Sequence, residues 1–221
     1  KIPEAVVKLS YMAAIKGASA GSVSEVSVKN PEVWLSERDD GSWNVQDLLK
    51  ESSEESGFRG KVRLSGGTVT ASMRGQTLKL RQVEGTVGMA DSPSADIDVD
   101  CMSMYSPIHA EGTVSSDVQD VKVTIDDVGI EDYMKYLTLL PPLPEGIDIK
   151  SGTIDHAEAY IRHDGDGLAL KGRAAFHDGA VTAMGVDIAK LQGQANFDQS
   201  SAMLFIHAEA AGEPAAIHGR I

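Results

Sequence analysis

The sequence predicts a mainly β fold, an antiparallel sheet of repeated hairpins with a few short helices and one apolar flank left open as a groove. Three observations predict it. A phrase of glycine, small residue and β-branched residue recurs at Gly67-Thr68-Val69, Gly85-Thr86-Val87, Gly112-Thr113-Val114, Gly152-Thr153-Ile154 and, more loosely, Gly179-Ala180-Val181. Its spacings of 18, 27, 40 and 27 residues suit hairpins of variable loop length better than a fixed-period solenoid, each copy restarting a strand after a polar turn. Run after run also alternates apolar and polar residues, the period of a strand with one wet face. Finally, Phe, Tyr and Trp make up only 5% of the 221 residues, so any interior must be filled by aliphatic side chains and Met.

The elements follow in order. Ala5 to Leu9 alternates weakly, and Tyr11 to Lys16 reads as a short helix stopped by Gly17. Val23 to Val28 reads as a strand, broken by Asn30-Pro31 and resumed by Val33-Trp34-Leu35. Asp39-Asp40-Gly41 suits a turn, and Val45, Leu48 and Leu49 lie at helical spacing with Asn44 placed to cap. Residues 51–57 are polar and aperiodic, as in a loop. From Gly60, strands follow one another. Val62 and Leu64, then Val69, Ala71 and Met73, then Leu78 and Leu80 occupy one face; the apolar parity shifts at Val83 and Val87, which calls for a bulge or a turn. Ala95, Ile97, Val99 and Cys101 form the next face, with a second shift expected at Met102 and Met104, and Val121, Val123 and Ile125 the next. Ile130 to Leu140 predicts a helix with a stripe of Tyr133, Met134, Leu137 and Leu139 or Leu140, ended by Pro141-Pro142. Hairpins fill the remainder, one turning at Asp164-Gly165-Asp166-Gly167.

Bulk properties narrow the function. Lys and Arg total 20 against 33 Asp and Glu, and the cations are scattered, which tells against nucleic acid as a partner. A single cysteine, Cys101, excludes an internal disulfide and reads as a buried thiol. No run of about 18 apolar residues occurs. Beginning at Lys1-Ile2-Pro3 and ending in a strand-like run at Ile221, the sequence reads as a segment of a longer chain.

Reactive constellations are weak. Gly17-Ala18-Ser19-Ala20-Gly21 spells a nucleophile elbow, but that motif needs a strand before it and a helix after, the reverse of the order expected here. Asp96, Asp98 and Asp100 alternate along one strand face, where they could hold a hard cation or, the blander reading, keep edges soluble. His156 and His163 differ by an odd number and point to opposite faces of an unbroken strand. Asp164 to Gly167 lacks the ligand pattern of a calcium loop and suits a type I′ turn. Cys101 and His109 lack a third orienting residue. The expectation is therefore no catalytic residue, no cofactor and no metal, in a protein that is not an enzyme.

One segment goes further. A strand, a Tyr-led short helix, a strand ending Asn30-Pro31-Glu32-Val33, and then Asp40-Gly41-Ser42-Trp43-Asn44-Val45-Gln46-Asp47-Leu48-Leu49 resemble the amino-terminal region of the AsmA-like superfamily, most closely its TamB branch. Pro31, Asp40, Gly41, Trp43, Asn44, Leu48 and Leu49 carry the motif, with Val45 in place of the usual Leu. The resemblance implies an N-terminal unit over residues 1–56 and a repeated hairpin segment over 57–221, incomplete at its C-terminal end. It implies an elongated sheet curled into a taco-like apolar groove, in the periplasmic part of an inner-membrane-anchored protein of a diderm bacterium. Phospholipid acyl chains, further repeats of the same chain, and an outer-membrane barrel of the TamA/BamA type would be its partners, in lipid transport, outer-membrane biogenesis and protein secretion. The groove would be lined by Val62, Leu64, Val69, Ala71, Met73, Leu78, Leu80, Val87, Ile97, Val99, Val121, Val123 and Ile125. Two alternatives are a scaffold or chaperone offering sheet edges to client strands, and a closed β-sandwich interaction module.

Overall fold

A computed structural model describes residues 4–9, 23–38, 44, 60–89, 94–115, 118–139, 145–164 and 167–220. Thirteen strands form one long sheet: β1 (Glu4–Leu9), β2 (Val23–Lys29), β3 (Glu32–Ser36), β4 (Lys61–Met73), β5 (Gln76–Gly88), β6 (Ala95–Ser103), β7 (Ser106–Val114), β8 (Gln119–Gly129), β9 (Ile147–Asp164), β10 (Gly167–Ala183), β11 (Val186–Asp198), β12 (Ser201–Ala210) and β13 (Glu213–Arg220). Their order is β1-β2-β4-β5 and onward to β13 in sequence, with β3 also paired to β4. The mainly β, open antiparallel sheet expected from the alternation is what forms, and it is not the closed sandwich of the third reading. By contacts the chain divides into two compact units, the first Lys1–Met104, Ile108–Lys122 and Arg162–Leu168, the second Tyr105–Pro107, Val123–Ile161 and Ala169–Ile221.

In the first unit the antiparallel rule has an exception. β2 runs parallel to the first half of β4, Val26 beside Val62, and β3 runs parallel to the second half, Val33 beside Val69. Asn30-Pro31 is thus a step between two strands that share one neighbour. Asn30 adopts a left-handed φ of 47° and donates its N–H to the Ser65 carbonyl, while the Pro31 carbonyl accepts from Thr68 N–H. Across from the step, β4 carries its own irregularity at Ser65-Gly66, where a Cβ on Gly66 would stand 2.4 Å from Asn30 Oδ1. Any side chain there would have to adopt the left-handed φ of 66° and displace the Asn30 amide.

Bulges recur along the ladder, and they explain the parity shift at Val83. Two residues, Gln82 and Val83, stand opposite the single Cys101, between the pairs Arg81–Met102 and Glu84–Asp100. Gln82 takes the left-handed conformation, φ 52°, and absorbs the extra residue. Leu78, Leu80, Val83 and Val87 therefore all remain on one face. In the second unit Lys190-Leu191 does the same opposite β12, with Lys190 at φ 51°. After the left-handed residues that lie inside strands, Gly66, Gln82, Asp127, Asp178 and Lys190, the next residue is buried: Gly67, Val83, Val128, Gly179 and Leu191. A bulge bends its strand, and the crease it makes is where the sheet covers its own side chains best.

The second expected parity shift does not occur. Ala95, Cys101 and Ser103 are buried, so β6 keeps its odd-numbered face to its end, and Met104 belongs to the following turn. The recurring glycines also differ from expectation. They lie inside strands, not at restarts after turns. Gly85, Gly112 and Gly152 have φ between 145° and 151°, and a Cβ on Gly85 or Gly112 would lie 2.1 Å from a carbonyl oxygen of the neighbouring strand, Asp98 or Asp120. The phrase marks close backbone approach. Tight hairpins use other glycines, as in Arg74-Gly75 (φ 45° and 78°), Met184-Gly185 (51° and 80°) and Ala211-Gly212 (52° and 86°), the signature of a type I′ turn.

The helix expected over 130–140 is split into a short α1 (Ile130–Tyr133) and a 3-10 turn over Met134–Leu139. Its apolar stripe is not a buried one among the described residues, since Met134 is exposed; Ile130 instead reaches over Gly152. The expected helices at 11–16 and 45–49, Gly17 to Gly21, the turn at Asp39 to Gly41, the loop at 51–57, Pro141-Pro142 and the tip at Gly165-Asp166 lie outside the described residues.

At the left-handed Asp127 (φ 52°) the hydroxyl of the buried Ser106 donates to the Asp127 carbonyl over 3.0 Å. Ser106→Ala is expected to destabilise by about 1 kcal/mol, measured by urea unfolding, because the hydrogen bond to the Asp127 carbonyl is lost. Gly112→Ala is expected to cost more than Gly75→Ala. The second suffers only the left-handed penalty of about 1–2 kcal/mol, with no atom within 4 Å of the added carbon, whereas the first adds a backbone clash. The same denaturation assay ranks them.

Candidate functional site

Register decides which side chains share a face. In the first unit directly paired positions build cross-strand rows: Val26–Val62–Val87–Ile97, Val28–Leu64–Gly85–Val99, Val33–Val69–Leu80–Ser103 and Leu35–Ala71–Leu78. Paired residues point to the same side of a sheet, so these rows are one aliphatic surface. Its opposite side carries the charges. Arg63 approaches Glu25 at 3.6 Å, Thr113 donates to Asp96 at 2.9 Å, His109 Nδ1 lies 2.9 Å from Asp100, and Lys122 lies 3.5 Å from Glu111.

The second unit repeats the arrangement with smaller residues. Gly172–Phe197–Ala202, Ala174–Ala195–Leu204–Gly219 and Phe176–Gly193–Ile206–Ile217 form its apolar rows. Gly193 (φ 156°) lies so close to β12 that a Cβ would sit 2.0 Å from the Phe205 carbonyl. Small residues let these strands approach and leave a low-relief surface.

Of the thirteen residues expected to line a groove, Ala71 is buried and the other twelve are half-buried. Val62, Leu64, Val69, Ala71, Met73, Leu78, Leu80, Val87, Ile97 and Val99 share the first unit's apolar face by register. Val121 lies on β8 in that unit, and Val123 and Ile125 on β8 in the second. Sequence reasoning passed over Val26 and Val28, and the second unit's Ala174, Phe176, Leu204, Ile206 and Ile217. Their alternation was readable; what hid them was dilution by Ala and Gly.

The chemically suggestive residues disperse. Cys101 is on the apolar face while His109 bonds Asp100 on the other, so thiol and imidazole do not meet. Burial, aided by the neighbouring Asp100 charge, pushes the Cys101 thiol above its ordinary range. Asp96 and Asp100 spend their carboxylates on Thr113 and His109, and His156 pairs with Asp126 at 2.6 Å. His163 lies on the same unbroken β9. Among the described residues no group of three or more His, Cys, Asp or Glu converges as a metal ligand set.

Of the motif residues, Pro31 and Asn44 are described, and Trp43 with the others lies outside. The helix that Asn44 is expected to cap lies outside the described residues, and within them the asparagine bonds to β3. Its Oδ1 accepts from Ser36 N–H at 3.1 Å, its Nδ2 donates to the Trp34 carbonyl at 3.0 Å, and its own N–H donates to the Ser36 carbonyl at 3.0 Å. A single asparagine thus closes the end of β3.

Fold and site together define a class: an open β-sheet protein whose strands carry aliphatic side chains on one face and ion pairs on the other. No family model matches the chain, and neither a curated protein nor a solved structure matches it.

The raised Cys101 thiol has a pH consequence. On unfolding the thiol ionises at its ordinary value, so the stability its burial confers is complete below that value and declines as pH rises toward the folded one. Wild-type protein is expected to lose stability through the alkaline thiol range faster than Cys101→Ala, measured by denaturant titration at stepped pH.

Proposed function

We propose that this chain is a segment of a lipid-conducting groove, in which the aliphatic face of the sheet shields phospholipid acyl chains during passage between two membranes. The observation that carries it is the set of unbroken apolar rows, Val26–Val62–Val87–Ile97 above all, left half-buried by a sheet with no second layer over it among the described residues. Each exposed CH₂ of a tail costs about 0.8 kcal/mol in water, so a chain of about 16 carbons needs on the order of 10 kcal/mol of shielding wherever it stands. A continuous aliphatic strip supplies that at every point. Low relief and few aromatics favour sliding over capture.

The resemblance to the TamB branch supports the setting: a periplasmic part of an inner-membrane-anchored envelope protein of a diderm bacterium, working in outer-membrane biogenesis. Its partners in this reading are phospholipid, further repeats of its own chain and a barrel of the TamA/BamA type. The role is transport, without a catalytic step. A scaffold for client strands is the second reading; among the described residues β13 pairs only with β12.

Phospholipid is expected in organic extracts of gently purified protein, read by mass spectrometry; repeated preparations without it count against the groove. Val69→Asp places a charge on the first unit's apolar face and Val123→Asp on the alternating apolar side of β8; each is expected to abolish transport in the full-length protein, scored by envelope integrity. Unchanged integrity in both would remove these residues from any lipid path. Cross-linking from His218 to a client strand, in place of lipid recovery, would favour the scaffold.

A further inference from the structure

The second unit breaks the rule of one wet face. On the side opposite its apolar rows, β12 presents Met203 and Phe205, 40% and 41% exposed. They stand in two rows, Arg173–Asn196–Met203–Arg220 and Ala175–Gln194–Phe205–His218. Lys171 adds a cation beside Arg173, its Nζ 5.2 Å from the Tyr160 ring centre. Three of this unit's six lysines and arginines therefore collect around Asn196 in a chain of net charge −13; with Glu158 and Asp198 in the same depressions the patch keeps one positive charge in excess, a local reversal of sign that suits an anionic ligand. The two acids of the patch each have local partners and keep their charge. Glu158 faces Arg173 at 3.6 Å, and the Asp198 carboxylate accepts from the backbone N–H and the hydroxyl of both Ser200 and Ser201, which hold its pKa below the usual range.

Two open depressions meet at Asn196. One, about 310 Å³, includes Met203, Ser201 and Arg220, whose Nη2 donates to Ser201 Oγ at 2.9 Å; the other, about 340 Å³, includes Tyr160, Lys171 and Arg173. Each is at the small end of ligand sites, with room for a headgroup and not for a whole lipid. Cations beside a thioether and an aromatic ring, all on one face of the sheet, match a bilayer interface, where phosphates lie above the first methylenes.

We propose that this polar face of the second unit docks on an anionic phospholipid bilayer, with Lys171, Arg173 and Arg220 on headgroup phosphates and Met203 and Phe205 against the acyl boundary. The site lies on the side away from the apolar rows, and goes beyond the groove reading: it stands whether or not those rows carry lipid.

Flotation with vesicles tests it. The protein is expected to float with phosphatidylcholine vesicles containing phosphatidylglycerol, to stay behind with phosphatidylcholine alone, and to detach as salt is raised. Arg173→Gln with Arg220→Gln should weaken binding at least about tenfold. Met203→Ser with Phe205→Ser should weaken it at every salt concentration. Val123→Asp, a groove substitution, should bind as wild type, so that failure of the groove and failure of this surface are told apart. Equal binding to both vesicle types, or full binding by the arginine double variant with an unchanged circular dichroism spectrum, overturns the proposal. Displacement by dilute inorganic phosphate would assign the depressions to free phosphate and overturn the bilayer as their ligand.

Discussion

Backbone pairing across neighbouring strands is the constraint on which everything else in this molecule depends. Only eight apolar residues among those described are buried, too few for a conventional core, so the ladder and its cross-strand pairs must supply what packing supplies elsewhere. That explains why glycine recurs inside strands. Where one strand must lie close against the next, as at Gly85, Gly112 and Gly193, even a methyl group would strike a carbonyl.

The same constraint shapes the apolar face. A bulge inserts a residue and would throw the following side chains to the wrong side unless the sequence changed phase with it. Leu80 to Val83 changes phase at Gln82, and Phe197 to Ile188 does so at Lys190, each at a left-handed residue. Sequence and backbone thus correct one another, and the hydrocarbon surface continues unbroken past the irregularity. At the left-handed Asp127 the carbonyl finds a local partner in Ser106.

Much of the fold was legible because alternation has a short period and needs no distant information. Strands such as Val121 to Ile125, the bulge before Val83 and the helix start at Ile130 all follow from neighbours a few residues away. What was not legible depends on contacts between segments far apart in sequence. Nothing local announces that β2 and β3 lie parallel to β4, or that Asn44 also bonds to the end of β3. Glycine was ambiguous for a related reason: a turn and a close approach both demand it, and only the neighbouring strand tells which. For the candidate site, the strongly aliphatic rows of the first unit were visible, while the Ala- and Gly-diluted rows of the second carry too weak a contrast to stand out. The mixed patch around Asn196 is assembled from five strands, and no linear pattern contains it.

Hairpins joined by two-residue turns, as at Arg74-Gly75 and Ala211-Gly212, make each strand answerable chiefly to the one before and the one after. Stability in such an architecture accumulates as nearest-neighbour terms. Duplication or loss of a hairpin then alters the total by one increment and leaves remote pairs undisturbed, so length itself becomes a trait that can drift to match the distance a protein has to bridge.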